Sequence, residues 1–445
     1  MRLATSHPLV EELIGLSFIL NTFAAVWVYT VLTPAALEAT KALVRLVLQR
    51  EREGNLGAPA GLRQQLDAVP KEALLAAIRR HRLECLLHGD PIVASLLPEL
   101  AATLQVLARQ DAMAALALAS LTREMAALFE QAAMPMLVIK GIPLALQTTG
   151  SLTSRGRGDL DLLVDPQRLP EAVALLESSA FRRLPGYLPR DLNSFWARYG
   201  RWAGYELSMV REGEGAPQWI DLHWALSNVR GPLPSFAVAW QCRELLEFSG
   251  QSVSTLSRAH AFQHACAHAA KDQWMCLRNL IDIDRLGRQL SSAALISLRR
   301  EPTVRWSGAV THIVAEAVYL KIFLQLDRRG MLNALQRARQ AQLLPWRCEG
   351  IGPWTPGRWF STVWRLLALS RSTQDWLRTL CYYILLPAAF VDPLTGEDRG
   401  IRGFVSARVG RLRNRLGERN SSNPTANASL LGADSKPKEV VARSN

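Results

Sequence analysis

The stretch VIKGIPLALQTTGSLTSRGRGDLDLLVDP, residues 138–166, decides how this chain is read. It sets Asp159 and Asp161 one residue apart in an apolar run, just after Arg155 and Arg157 and downstream of Lys140-Gly141. Strands that bury a face rarely carry two carboxylates on it, because an unpaired buried carboxylate is very costly. Residues two apart in a strand share a side, about 7 Å apart along the backbone. Two such carboxylates can converge on divalent ions held about 3.5–4 Å from each other. The expected counter-charge is therefore Mg²⁺, as two ions, with Mn²⁺ as a substitute.

A third carboxylate is wanted for an in-line displacement between two metals. QWIDLHW, residues 218–224, offers Asp221 between Ile220 and Leu222 in another strand-like run. Its expected role is to ligate the nucleophile-side metal and help take a hydroxyl proton. His223 follows at strand parity, to orient Asp221, contact a nucleotide or sit as a satisfied core residue. Asp165 precedes Pro166 and reads as a turn or helix-cap residue. Gly141, at the start of a helix, lets backbone N–H groups approach a triphosphate with the help of the helix dipole. Lys140, Arg155 and Arg157 are placed to contact phosphate oxygens, and TTGSL, with Gly150 and Ser151, is an alternative phosphate loop.

HAFQHACAHAAKDQW places His260, His264 and His268 on one helical stripe. Zinc would need a further ligand, and no H-E-x-x-H accompanies the ladder. The stripe faces either a nucleotide or acceptor or a hydrogen-bonded core, and Lys271 either reaches a phosphate or ends the helix in solvent. Tryptophan at the spacings seen here is mainly core.

The 445 residues have room for roughly two to three domains. A net charge of +13 and a pI near 9.9 suit a polyanionic partner, namely nucleotide phosphates, nucleic acid or an anionic membrane; a generic Arg-rich composition gives the same balance. Six scattered cysteines without a C-x-x-C pair point to a reducing cytoplasm. Residues 13–32 are uncharged and long enough to span a membrane, although Asn21 lies near their middle. A buried helix or one lying on a membrane surface is the alternative, which makes the expected location cytoplasmic with membrane association through this segment.

The pattern along the chain predicts an N-terminal extension (1–61), a helical lead-in (62–131), an α/β or α+β core (132–230), a C-terminal helical region (231–345), a Trp-rich and basic helical segment (346–419) and a disordered tail (420–445). No Walker A, G-x-S-x-G or kinase signature is present.

MPMLVIKGIPLAL, RGRGDLDLLVDPQRLPEAVALLESSAF, IDLHWAL and HACAHAAKDQWMCLRNLIDI together resemble the uncharacterised nucleotidyltransferase family of the polymerase-β-like superfamily, over roughly residues 62–290. The resemblance implies an α+β fold with a small mixed sheet between helical flanks. It implies active-site roles for Lys140, Gly141, Arg155 or Arg157, Asp159, Asp161, Asp221 and His223, with His264, His268, Lys271, Trp274 and Asp282 on a helix beside them. It also implies Mg²⁺-dependent transfer of a nucleoside monophosphate from an NTP, ATP first among the candidates, to a hydroxyl acceptor with release of pyrophosphate. The acceptor is a small molecule, sugar, peptide or protein, and no sequence-specific nucleic acid is expected. A non-catalytic nucleotide sensor or scaffold and a membrane-associated assembly protein are the alternatives.

Overall fold

The computed structural model describes residues 33–315 except 55–56, 157, 185–187, 214–215, 229–232, 273, 275 and 299, and beyond them 333–336, 367 and 372–385. The segment 13–32, Arg157 and the tail from 420 lie outside the described residues.

The chain begins with α1 (Pro34–Glu53), whose N-cap Thr33 accepts a hydrogen bond from the Ala36 amide and which starts on proline. Four short helices follow: α2 (Leu62–Asp67), α3 (Lys71–Arg80), α4 (Glu84–His88) and α5 (Pro91–Leu96). The 34-residue α6 (Pro98–Gln131) then leads into the strands. By length and composition α6 could cross a membrane, but it packs on α4 and on the sheet.

Seven strands form one mixed sheet: β1 (Met136–Val138), β2 (Leu160–Val164), β3 (Arg182–Arg183), β4 (Glu206–Arg211), β5 (Gln218–His223), β6 (Glu244–Phe248) and β7 (Gln251–Thr255), in the order β3-β4-β5-β2-β1-β7-β6. Helix α7 (Gly141–Thr149) joins β1 to β2, which are antiparallel, and α8 (Leu169–Ser178) and α9 (Phe195–Ala203) connect later strands. β2 runs parallel to β5, and β1 runs parallel to β7. After α10 (Phe236–Gln241) and the β6–β7 hairpin come α11 (Arg258–Lys271), α12 (Leu277–Gln289), α13 (Ser292–Leu298) and α14 (Pro302–Ala315), and then α15 (Thr373–Leu385).

Alternation along the strands divides the interior in two. Val138, Leu160, Leu162 and Val164 face one core with Met125, Phe129 and Val173. Leu137, Ile139 and Leu163 face the other, with Phe262, Leu280 and Ile283 of α11 and α12. All five residues of β2 are buried, so a sheet covered on both faces explains why every residue but Asp161 is apolar.

The fold is α+β, a seven-stranded mixed sheet with helical flanks. Two boundaries differ from expectation. The sheet does not end by 230, because β6 and β7 extend it past residue 250. Residues 34–53 are no appendage either: Leu37, Leu43, Leu46 and Leu48 are buried in the same core as α11 and α12.

Candidate functional site

Parallel pairing brings the carboxylates together. Asp161 stands directly opposite Asp221 in the β2–β5 register, and Leu163 stands opposite His223. Paired residues on neighbouring strands point to one face with their backbones about 4.8 Å apart. On the other side of β5 the same face continues through Ser208 and Glu206 of β4. Asp159 lies one residue ahead of β2, exposed at its mouth rather than within the strand as expected.

Asp161 is 4% exposed and its Oδ1 accepts from Lys140 Nζ at 2.9 Å. His223 Nε2 lies 3.0 Å from the same oxygen and 3.4 Å from Glu206 Oε2. Burial alone would raise the Asp161 pKa, but Lys140 and His223 overcome it and hold the group far below the usual carboxylate range. Lys140 moves the opposite way: burial disfavours its charge, yet Asp161, Glu206 and Asp221 together raise its pKa. Asp221 accepts from the Ser208 hydroxyl at 2.6 Å. It is pushed up to about 7, by burial first and then by Glu206 and Asp161.

Gly141 opens α7 at φ +59, and a Cβ there would sit 2.8 Å from the Asp159 carbonyl oxygen. Its Cα lies 3.4 Å from the position a Cβ on Gly158 would take. The missing side chain of Gly141 lets the helix start and the D-x-D segment approach this closely. Asp161's carbonyl also accepts from the Ile139 amide at 3.0 Å, which ties the two segments a second time.

A cavity of about 310 Å³ opens between these segments and the helices. Its wall includes Lys140, Gly141, Asp159, Asp161, His264 and His268, which the sequence reading had singled out. Arg155 also lines it, but as one end of a buried ion pair: Nε donates to Asp282 Oδ1 at 3.0 Å and Nη2 to Oδ2 at 2.8 Å. His264 Nε2 meets the Leu226 carbonyl at 3.1 Å, and His268 Nδ1 lies 3.2 Å from Asp272 Oδ2. Burial, then Lys140, keeps both histidines well below their usual pKa, so both are neutral.

Asp221, His223 and Lys271 are absent from the cavity wall. Asp221 lies beside Asp161 on the next strand, and His223 two residues further along it on the same face. Lys271 Nζ instead donates to Tyr205 Oη at 3.2 Å and lies 5.2 Å from the centre of that ring, away from a phosphate position in the cavity. Trp274 is core, donating to Ser307 Oγ at 2.9 Å. In TTGSL, Ser151 Oγ accepts from the Thr153 and Ser154 amides, and the loop does not reach the cavity. Asp165 caps its own turn through the Gln167 amide, as expected. The reading from sequence missed Glu206, Ser208, Arg80, Arg82 and Arg278. The only signal for the first two arginines was the basic run RRHR, residues 79–82, inside a helical segment.

Among the described residues no three His, Cys, Asp or Glu side chains are already gathered as a metal cage, which leaves the histidine ladder without zinc partners. The carboxylates nevertheless have the right chemistry for a hard divalent ion. Asp159, Asp161 and Asp221 are oxygen donors, two of them in register on neighbouring strands.

A mixed sheet with a D-x-D at the mouth of one strand, a third aspartate in register on the next and a glycine-started helix packed across them defines a nucleotidyltransferase of the polymerase-β-like class. The chain belongs to the family described as uncharacterised nucleotidyltransferase, whose model matches residues 67–310, more than half of its length. It is accordingly a transferase of phosphorus-containing groups. No curated protein and no solved structure gave a significant match.

Proposed function

We propose that the protein transfers a nucleoside monophosphate from an NTP to a hydroxyl-bearing acceptor in a Mg²⁺-dependent reaction. The observation that carries this reading is the in-register pair Asp161 and Asp221, with Asp159 at the strand mouth, beside a cavity walled by basic side chains. The acceptor oxygen attacks the α-phosphorus, a new O–P bond forms, and the bond to the β-phosphate oxygen breaks. That oxygen keeps the electron pair and leaves as part of pyrophosphate. The proton of the hydroxyl passes to the Asp221 carboxylate.

Asp159, Asp161 and Asp221 are the residues to hold Mg²⁺, which when bound neutralises phosphate oxygens and favours the attacking alkoxide. Asp161 must exchange part of its contact with Lys140 for that role, and the Lys140 side chain, already 24% exposed beside the cavity, then becomes available to an α- or β-phosphate oxygen. Gly141 presents the amide end of the nine-residue α7 to the same space. Neutral His264 and His268 line the remaining wall, where a base or an acceptor hydroxyl can hydrogen-bond without adding charge.

The test is incubation of purified protein with each α-³²P-labelled NTP, Mg²⁺ and cell extract, beside Asp161→Asn. Label on an acceptor with the wild type alone establishes the transfer and names the base. Metal-dependent nucleotide binding with neither transfer nor pyrophosphate release counts against it, in favour of a sensor or scaffold.

A further inference from the structure

The basic wall of the cavity comes largely from outside the carboxylate-bearing strands. Arg80 ends α3, Arg82 lies in the turn that follows, and Arg278 sits in the first turn of α12; all three line the cavity. His81 builds this juxtaposition. It is 3% exposed, its Nδ1 accepts from the Leu277 amide at 3.4 Å, and its carbonyl accepts from Cys276 Sγ at 3.5 Å. The turn is thereby pinned to the start of α12.

Two further features give the cluster the character of an anion site. Arg278 is 8% exposed, and burial, then Arg155 and Arg82 beside it, bring its guanidinium down to about 10. Like charges crowded in a low-dielectric wall are relieved by an anion between them. Cys276 and Asn279 also face the cavity, so the start of the 13-residue α12, the positive end of its dipole, lies at the wall.

We propose that Arg80, Arg82 and Arg278, with the first turn of α12, form the seat for the β- and γ-phosphates of the nucleotide. The helical region that precedes the strands then takes part in substrate binding. The seat shares the cavity with Lys140 and Arg155, which are paired to Asp161 and Asp282, and with Asp272. This inference rests on the nucleotidyl-transfer reading. The chemistry recognised is a run of phosphate oxyanions, which either an NTP tail or a phosphorylated acceptor presents.

Binding separates these sources. The full-length wild type, Arg82→Gln and Arg278→Lys are titrated with the α,β-methylene analogues of ATP, GTP, CTP and UTP, the matching monophosphates, and inorganic tripolyphosphate, all with Mg²⁺. Circular dichroism and Tm check that each variant is folded. Arg82→Gln is expected to weaken the triphosphate analogue about tenfold or more while leaving the monophosphate within about twofold. Arg278→Lys keeps the charge but loses the planar fork, and a smaller loss of the same selectivity is expected; it carries the test alone if Arg82→Gln does not fold. Equal losses for tri- and monophosphate, or no loss in either variant, overturn the seat. A wild type that binds no nucleotide, yet binds tripolyphosphate in an Arg82-dependent way, overturns the nucleotide assignment and the transfer reading with it. The seat then belongs to a phosphorylated acceptor.

Discussion

Gly141 carries two demands at one position. Its φ of +59 would cost an alanine about 1–2 kcal/mol, and a Cβ would press on the Asp159 carbonyl from 2.8 Å. The neighbour is backbone, so it cannot rotate away as a long side chain would. Gly141→Ala is therefore expected to lower Tm by roughly 2–8 °C. It is expected to reduce nucleotide turnover further than that loss explains, because the segment displaced is the one that carries Asp159. Thermal melts read beside turnover check this; an unchanged Tm would show that the close approach relaxes freely. Lys140-Gly141 and Asp159-x-Asp161 were legible in the sequence because charged residues stand out in apolar runs. Arg80, Arg82 and Arg278 were not, since an arginine in a helical, basic chain looks the same whether it faces solvent or a cavity. Lys271 illustrates the converse: it falls near the stripe of His264 and His268, yet it turns to Tyr205.

At the scale of elements, the Arg155–Asp282 pair fastens the loop before β2 to α12 with two charge-assisted hydrogen bonds, both partners below 10% exposure. Removing one end leaves a buried charge alone and costs about 3–5 kcal/mol, whereas an apolar replacement of both is often tolerated. Arg155→Met and Asp282→Leu are each expected to lose most of that amount. The double variant is expected to be more stable than either single one, measured by urea denaturation; additive losses would mean that the two groups act independently. Strands β1, β2, β4 and β5 were readable from apolar runs bounded by Gly, Pro and polar turns. The β6–β7 hairpin was missed because it lies at the sheet edge, where Glu244, Glu247, Ser252 and Ser254 interrupt the apolar pattern. Its turn does carry a sign: Phe248 pairs with Gln251 around Ser249-Gly250, both at positive φ, as a tight two-residue hairpin demands.

For the whole molecule, α1 is part of the folding unit. Leu37, Leu43, Leu46 and Leu48 are at most 3% exposed, and each buried leucine is worth about 1.5–3 kcal/mol. A chain starting at residue 62 is expected to lose the cooperative melt of the full-length chain, with differential scanning calorimetry as the readout; equal melts would make α1 dispensable. The linker-like 54–61 suggested the opposite because glycine and proline mark a turn without saying whether the helix before it packs. The strand order has a consequence for synthesis. β1 needs β7 as its parallel neighbour, through Val138 and Thr255, and the loop before β2 needs Asp282. At about 5–20 residues per second the ribosome takes roughly 6–24 s to travel from Asp161 to Asp282. During that interval a nascent chain has its D-x-D but no walled cavity, so the carboxylates cannot act on cellular nucleotides before the polypeptide that restrains them has been made.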